Sequence, residues 1–565
     1  MPAQSTPSTA RTIRHCLFLV LFSLIVLAPG IAGLPATDRD ESRYLQATKQ
    51  MVASGDYVDI RFKDEPRYRK PAGIYWMQSA ALLLSGDGEN APIWVNRSVS
   101  VASGIVAVVA LYLLTASLFG ARAGLIAGLG LAGIFMLGFE ARIAKTDAAL
   151  LAATLAAQAG LALVYVAART GKATNPWHAW MFWIGLGAGM MIKGPITPGV
   201  AGLTILALAL NDRLDIRWLR QLRPLRGVLI FLVIVLPWFI AISATSGLEF
   251  WKISIGKAFL SKVTSVQESH GAPPGYYFIL FMLFMWPMGP LALKAGLHGL
   301  NRFRTDPRIA FALAWYLPFW LALEIAPTKL PHYILPVYPA LLMLMGAFMA
   351  EDGERDLKLR TWQVWLMRIA WGGFAFVTLL LAAAIVAVPV YFDGAPTVAA
   401  IAAALLVLAA GWIASGLRLT LMPVVRVGGA SLAAGLAVGL TAGWVLPSAD
   451  KLWLSEAVVA KWHEVRLCDE TPLVSTGYAE PSMVYLTSKD IVFAEPDVAA
   501  SYIARDAQCA VVAVTAENGK AFLDALPGGT DSARPVGEVT AFYYTKGRYL
   551  TMTFYTAAAD GSARP

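Results

Sequence analysis

Apolar runs of about 20 residues, long enough to cross a hydrocarbon core about 30 Å thick, recur along most of this chain. The first covers 15–31, behind Arg11 and Arg14. Others fall near 93–116, 122–140, 145–168, 177–193, 195–211 and 225–246, then 276–296, 308–325, 331–350, 364–390, 396–417 and 424–446. The pattern predicts a mostly α, polytopic membrane protein with about 13 transmembrane helices. A cleaved signal peptide is the alternative for the first run, but a retained anchor is simpler when so many spans follow.

Two stretches depart from the pattern. Residues 35–92 carry charge, aromatics, Gly and Pro, including DRDESRY and RYRKPAGIYW. They read as one long loop after the first span. From about 447 the apolar runs shorten. Strands are predicted at 473–475, 491–493, 511–514 and 541–544, with helices at 481–486, 498–505 and 519–526. That order suggests a small α/β domain outside the membrane. The expected division is therefore 1–446 for the membrane domain and 447–565 for the second domain.

Composition supports this reading. Hydrophobic residues make up 57% of the chain and charged residues 15%, the balance of an integral membrane protein. The net charge of +9 lies in short loops, so it marks membrane orientation rather than nucleic acid. Basic residues fill alternate loops: Arg169 and Lys172; Arg213, Arg217, Arg220, Arg223 and Arg226; Arg302, Arg304 and Arg308; Arg355, Lys358 and Arg360; Arg418 and Arg426. Such loops are cytoplasmic, which predicts a periplasmic first loop and C-terminal domain. Cys468 and Cys509 both lie in that domain, where a disulfide is open to them in an oxidising compartment.

The same side collects the candidate chemistry. Asp40 and Glu41 can serve as bases or metal ligands, against the plainer reading of a solvated boundary. Arg43 and Lys70 share their loop, and fixed cations beside a carboxylate suit an acceptor-activating site with a phosphate leaving group. Asp147 meets the start of a span beside Arg142 and Lys145; such an acid either caps its helix or marks a functional site. Lys193, before Gly194-Pro195, either snorkels or contacts ligand. Lys329 and Tyr333 form another boundary pair, and His270 is a lone histidine that carries little weight as a metal ligand. No nucleotide-binding motif is present, so a membrane-soluble activated donor would supply the chemistry.

DRDESRY, ASGDYV, RYRKPAGIYW, the Asp147 region, MIKGP, VLPWFIAI, SHGAPPGYY and KLPHYILP occur in that order. Together they resemble the lipid A 4-amino-4-deoxy-L-arabinose transferases, within the glycosyltransferase family 39 and protein O-mannosyltransferase group. The resemblance implies a GT-C fold, a polyprenyl (undecaprenyl) phosphate sugar donor, inverting transfer and a periplasmic active site in the bacterial inner membrane. Asp40 then matches the first-loop catalytic aspartate, with Asp147 as a second functional acid. Arg43, Lys70 and Tyr333 match the donor-phosphate side. Glu41, Lys193, Lys329 and His270 are further candidates. Arg69 stands where the group commonly has an acid, and Gly271 where it often has arginine. Zinc binding in related enzymes involves that acid and the histidine, so no metal site is assigned; a divalent metal is the one open cofactor.

The expected function is transfer of a sugar to an envelope acceptor, lipid A or another lipid or glycan. The alternatives are a protein O-glycosyltransferase and a transporter or flippase of a lipid-linked sugar. A transporter would place its ionisable residues near the bilayer midplane, often within internal repeats; here they gather at one surface and no repeat is evident.

Overall fold

The computed structural model describes residues 9–254, 256, 271–351, 359–469 and 471–558. Helices dominate, and among the described residues nine are long and apolar enough to cross a membrane. Ten helices build the N-terminal half: α1 Thr9–Leu27, α2 Asp40–Ser54, α3 Gly73–Ser85, α4 Ile93–Phe119, α5 Ala121–Gly133, α6 Phe135–Glu140, α7 Asp147–Arg169, α8 Pro176–Lys193, α9 Ile196–Asn211 and α10 Pro224–Ser246. Shorter apolar helices, α5 and α9 among them, account for part of the difference from the expected thirteen spans. The 276–296 run is broken into Tyr276–Ile279, Phe281–Phe284 and Gly289–Leu300. Pro287 and Pro290 lack the backbone N–H that one continuous helix would require there.

Close backbone approach sets how the site is held. A Cβ on Gly160 would lie 2.4 Å from the His178 carbonyl oxygen, and one on Gly185 would lie 2.5 Å from the Ala157 nitrogen. These glycines let α7 and α8 pack nearly backbone to backbone, as small residues do between membrane helices. The two helices run antiparallel, so the start of α7 meets the end of α8. Gly73 does the same for α3, where an added Cβ would sit 2.7 Å from the Met191 carbonyl oxygen.

Two buried arginines fasten the helix ends. Arg142 donates to the carbonyls of Val26, Pro29, Gly138 and Gly435, at 2.7, 2.8, 2.5 and 3.2 Å. It thus satisfies acceptors that the ends of α1 and α6 and the turn after α1 leave open, and adds a donor to the Gly435 carbonyl inside the helix Pro423–Leu440. Arg97, inside α4, donates to the carbonyls of Ile31, Leu34 and Pro35 and forms a two-pronged pair with Glu41.

The C-terminal region is a small sheet domain. Its strands are β3 Val474–Thr476, β4 Val492–Phe493, β5 Val512–Thr515, β6 Ala533–Tyr543 and β7 Arg548–Ala557; β1 Arg61–Phe62 and β2 Glu65–Pro66 form a separate hairpin in the first loop. The sheet order is β4-β3-β5-β7-β6, parallel across β4, β3 and β5 and antiparallel beyond. The fourth expected strand extends back to Ala533, and β7 was not anticipated from its sequence. The helix Leu454–Val465 was also missed. Cys468 and Cys509 form a disulfide, with Cα atoms 5.3 Å apart.

The sheet domain grips the first loop at two places. Lys63 donates to the Ile491 carbonyl and lies 5.1 Å from the Phe493 ring centre. At the second place the Asp38 N–H donates to the Tyr544 hydroxyl at 2.6 Å, and the Ser482 hydroxyl donates to the Asp38 carboxylate. Glu480 stands close by, accepting from Tyr543 and Thr545 at 2.7 and 2.9 Å. Burial, with the Glu480 charge adding to it, pushes Asp38 up to about 6, against the Ser482 and Tyr544 hydrogen bonds. The docked state therefore holds a proton that the undocked carboxyl releases above its ordinary value of about 3.9. By linkage, docking strengthens as pH falls from 7 to about 4 and changes little below that. Asp38→Asn keeps the acceptor for Ser482 and removes the charge. It is expected to raise the thermal midpoint at pH 7 and to flatten its pH dependence between about 4 and 6. Differential scanning fluorimetry across that range checks this; an unchanged slope in the variant would place the pH dependence on other groups.

Candidate active site

The site forms where the first loop meets the ends of three helical segments. Asp147 is the first residue of α7 and Lys193 the last of α8. A carboxylate at a helix N-terminus and an ammonium at a C-terminus both match the local dipole. The antiparallel pair brings them together, and Lys193 Nζ donates to Asp147 Oδ1 at 2.6 Å, with both side chains buried. His332 reaches in from the 3₁₀ turn Pro331–Val337. Its Nε2 lies 3.9 Å from Asp147 and its Nδ1 3.8 Å from Glu140, the last residue of α6. Lys145 pairs with Glu140 at 3.1 Å. The Lys193 ammonium stands 5.3 Å from the Tyr333 ring centre.

Asp40 opens this cluster to solvent. It begins α2, and its side chain is exposed. Burial alone would push its carboxyl up. Lys145, Arg67, His332 and Arg43 outweigh that and hold it below the usual carboxylate range. Asp40 is therefore a charged carboxylate at neutral pH, within the fields of the cations Lys145, Arg67 and Arg43. Arg67 is fixed by an aromatic frame: its Nε donates to the Tyr75 hydroxyl at 3.0 Å, and its guanidinium lies 5.1 Å from the Tyr44 ring centre. Lys70 follows three residues later, on the same connection into α3.

Glu41, the neighbour of Asp40, has a different environment. Arg97 donates to both of its oxygens at 2.8 and 2.9 Å. The Thr37 N–H and hydroxyl and the Ala144 N–H complete the set, at 3.0, 2.8 and 2.9 Å. Those contacts tie the first loop to α4 and to the turn before α7. Lys329 is also turned away from the cluster. It is buried, and its ammonium donates to the carbonyls of Ala272 and Ala326 at 2.9 and 2.6 Å. His270 lies outside the described residues. Among the described residues no three His, Cys, Asp or Glu side chains gather as a metal site, and Arg69 is exposed where the resemblance places an acid.

Asp40, Arg43, Asp147, Lys193 and Tyr333 thus belong to one charged cluster or its border. Sequence reasoning weighed Lys145 only as a neighbour of Asp147, and missed Glu140, Arg67 and His332. Glu140 carried a usable signal, since an acid inside an apolar run is rare. His332 stood within KLPHYILP, next to a residue already singled out.

A many-helix membrane protein with this charged opening, and a small sheet domain set over its first loop, has the architecture of the GT-C membrane glycosyltransferases. Residues 69–240 match the family described as dolichyl-phosphate-mannose-protein mannosyltransferase. The chain is similar to curated proteins named undecaprenyl phosphate-alpha-4-amino-4-deoxy-L-arabinose arabinosyl transferases. It is 27% identical over 371 residues to one from Edwardsiella ictaluri (strain 93-146), a match covering 64% of each chain. A second, from Proteus mirabilis (strain HI4320), is 26% identical over 379 residues, 66% of each chain. The chain spans just under two thirds of the length of these relatives. The crystal structure of ArnT from Cupriavidus metallidurans bound to undecaprenyl phosphate superposes with a TM-score of 0.71 at 21% identity, covering 99% of this chain and all of that one. Its apo form gives 0.69 at 21% identity, covering 97% and 98%.

Proposed function

We propose that this protein is a membrane glycosyltransferase that moves a sugar from a polyprenyl phosphate, undecaprenyl phosphate above all, to an envelope acceptor. The observation that carries this is Asp40, an open carboxylate held charged among Lys145, Arg67, His332 and Arg43. Lipid A is the favoured acceptor, because the relatives named above transfer aminoarabinose from undecaprenyl phosphate and the sequence motifs resemble the lipid A enzymes. In this reading an acceptor hydroxyl gives its proton to Asp40 while its oxygen attacks the anomeric carbon. The bond from that carbon to the phosphate oxygen breaks, and its electron pair leaves with the polyprenyl phosphate. Attack from the opposite face inverts the sugar. A carboxylate with a lowered pKa is a weak base, so its proton transfer belongs late, when the attacking oxygen has become acidic.

Lys70 and Arg43 meet the charge that grows on the departing phosphate, with Tyr333 at its border. Asp147 assists by holding Lys193 and facing His332. The active site and sheet domain lie on the periplasmic side of the bacterial inner membrane, and the N-terminus is cytoplasmic. The alternate basic loops support this. So does the Cys468–Cys509 disulfide, which suits an oxidising compartment. The sheet domain is taken as residues 447–565 and the membrane domain as 1–446.

Mass spectrometry of envelope lipids and glycans from a deletion strain tests this reading. A sugar mass present in the parent should be missing, and wild-type protein should restore it. Lys70→Ala, expressed at the parental level, should leave it largely absent, because the donor phosphate loses a cation both when bound and when leaving. An unchanged lipid and glycan profile in the deletion strain would remove the proposed function.

A further inference from the structure

We propose that the segment joining α9 to α10, together with the end of α7, is a binding surface for anionic phospholipid headgroups. Six arginines, Arg169, Arg213, Arg217, Arg220, Arg223 and Arg226, face only two aspartates there, Asp212 and Asp215. Both acids are engaged: Arg217 grips Asp215 at 2.9 and 3.1 Å, and Arg169 lies 3.6 Å from Asp212. Arg213, Arg220, Arg223 and Arg226 are exposed, and among the described residues their side chains make no hydrogen bond or ion pair. Four cations are therefore left for an external anion.

They are held in place rather than loosely tethered. The 3₁₀ turn Arg217–Leu222 buries Trp218 and Leu222. Trp218 meets Tyr165 of α7 edge-on, with ring centres 5.2 Å apart. Trp183 of α8 donates to the Leu222 carbonyl at 2.8 Å. The backbone is also strained: Arg213, Leu214 and Arg223 have φ of 53°, 67° and 52°. Outside glycine, six described residues adopt positive φ, and half of them lie in this short stretch. Such conformations cost free energy and persist where the surroundings impose them. Here they splay the cations outward around a packed turn.

The spaces between the cations are apolar. Leu214, Ile216, Leu225 and Leu229 are 68%, 50%, 91% and 62% exposed. A soluble polyanion has no use for these side chains. A bilayer interface does, because it offers phosphates beside the first methylenes of the acyl chains. The placement between two apolar helices, α9 and α10, puts the surface at that depth. It also bears on the site. α10 reaches the first loop, where Trp238 donates to the Val58 carbonyl at 3.2 Å. Lipid held at the start of α10 fixes the depth of the helix that supports that loop.

The experiment uses the full-length protein in nanodiscs of phosphatidylcholine with a minority of phosphatidylglycerol. Lipids retained after extraction are counted by native mass spectrometry, and thermal midpoints are compared with those in phosphatidylcholine alone. Wild-type protein should retain phosphatidylglycerol preferentially, less so at high salt. R213Q/R220Q/R223Q/R226Q should lose that preference by about five-fold for each cation removed. The corresponding four-lysine variant should keep most of it, because the interaction is with charge. R220Q/R223Q, the milder change, should lose about half of the effect on a logarithmic scale. Equal phosphatidylglycerol retention by the Gln variants and the wild type would overturn the proposal. So would an equal loss in the lysine variant, or competition by inorganic polyphosphate in detergent that matches phosphatidylglycerol.

Discussion

Asp40→Asn is expected to lower sugar transfer by about 10²–10⁴-fold, the usual range for loss of a general base, while donor binding and the thermal midpoint stay near those of the wild type. The contrast follows from where the charge sits. Asp40 is exposed, and what holds its carboxylate down is the field of nearby charges, Lys145 and Arg67 foremost. An amide of the same shape fills the same space and leaves no buried group bare. It cannot accept the acceptor's proton. Donor binding rests on cations rather than on Asp40, so removing a negative charge from their midst should not weaken it. Undecaprenyl phosphate affinity, unfolding and product formation, measured on one preparation, separate these effects. Near-parental transfer by a folded Asp40→Asn protein would make the assignment wrong, and Asp147 would be tested next.

Arg97→Leu should act in the opposite way, through the fold. Both partners of the Glu41–Arg97 pair are fully buried. Removing the guanidinium leaves a charged carboxylate with only the Thr37 and Ala144 donors, and strips the Ile31, Leu34 and Pro35 carbonyls of theirs. Breaking a buried pair in this way costs about 3–5 kcal/mol, most of it from the uncompensated charge. The first loop should then come loose from α4, and activity should fall with stability. Arg97→Lys should not rescue it, since an ammonium cannot span two carboxylate oxygens and three carbonyls in one plane. Arg97→Leu/Glu41→Leu should recover part of the stability, because both charges leave together. Thermal unfolding in detergent, with limited proteolysis of residues 35–92, reads these outcomes. If Arg97→Leu unfolds at the wild-type temperature, the pair does not hold the loop.

These two acids show how far the sequence could be read. The apolar runs were legible because a membrane demands length, and length is visible. Asp40 stood out through DRDESRY, and the C-terminal sheet through its change of rhythm. Apart from the family resemblance, nothing in the sequence separated Asp40 from Glu41. Their difference comes from Arg97, which is 56 residues away and lies inside an apolar span. Arg67 and His332 were hidden for the same reason, since each acquires its role from partners on other elements. Lys329 looked like a site cation beside Tyr333, but two carbonyls engage its ammonium. Arg142 looked like a companion of Asp147, yet it closes helix ends instead. The run at 276–296 is apolar enough to cross, but it is interrupted at Leu280 and again between Phe284 and Gly289, where Pro287 lies.

The most direct test is transfer by the purified protein in vesicles supplied with an undecaprenyl phosphate sugar and lipid A, with both product pools followed by mass spectrometry. The prediction is one free undecaprenyl phosphate for each sugar gained by the acceptor, at a rate that Asp40→Asn lowers by about 10²–10⁴-fold and that Arg43→Ala or Lys70→Ala slows. Movement of intact donor across the bilayer, with no sugar on any acceptor and no free undecaprenyl phosphate, would contradict it.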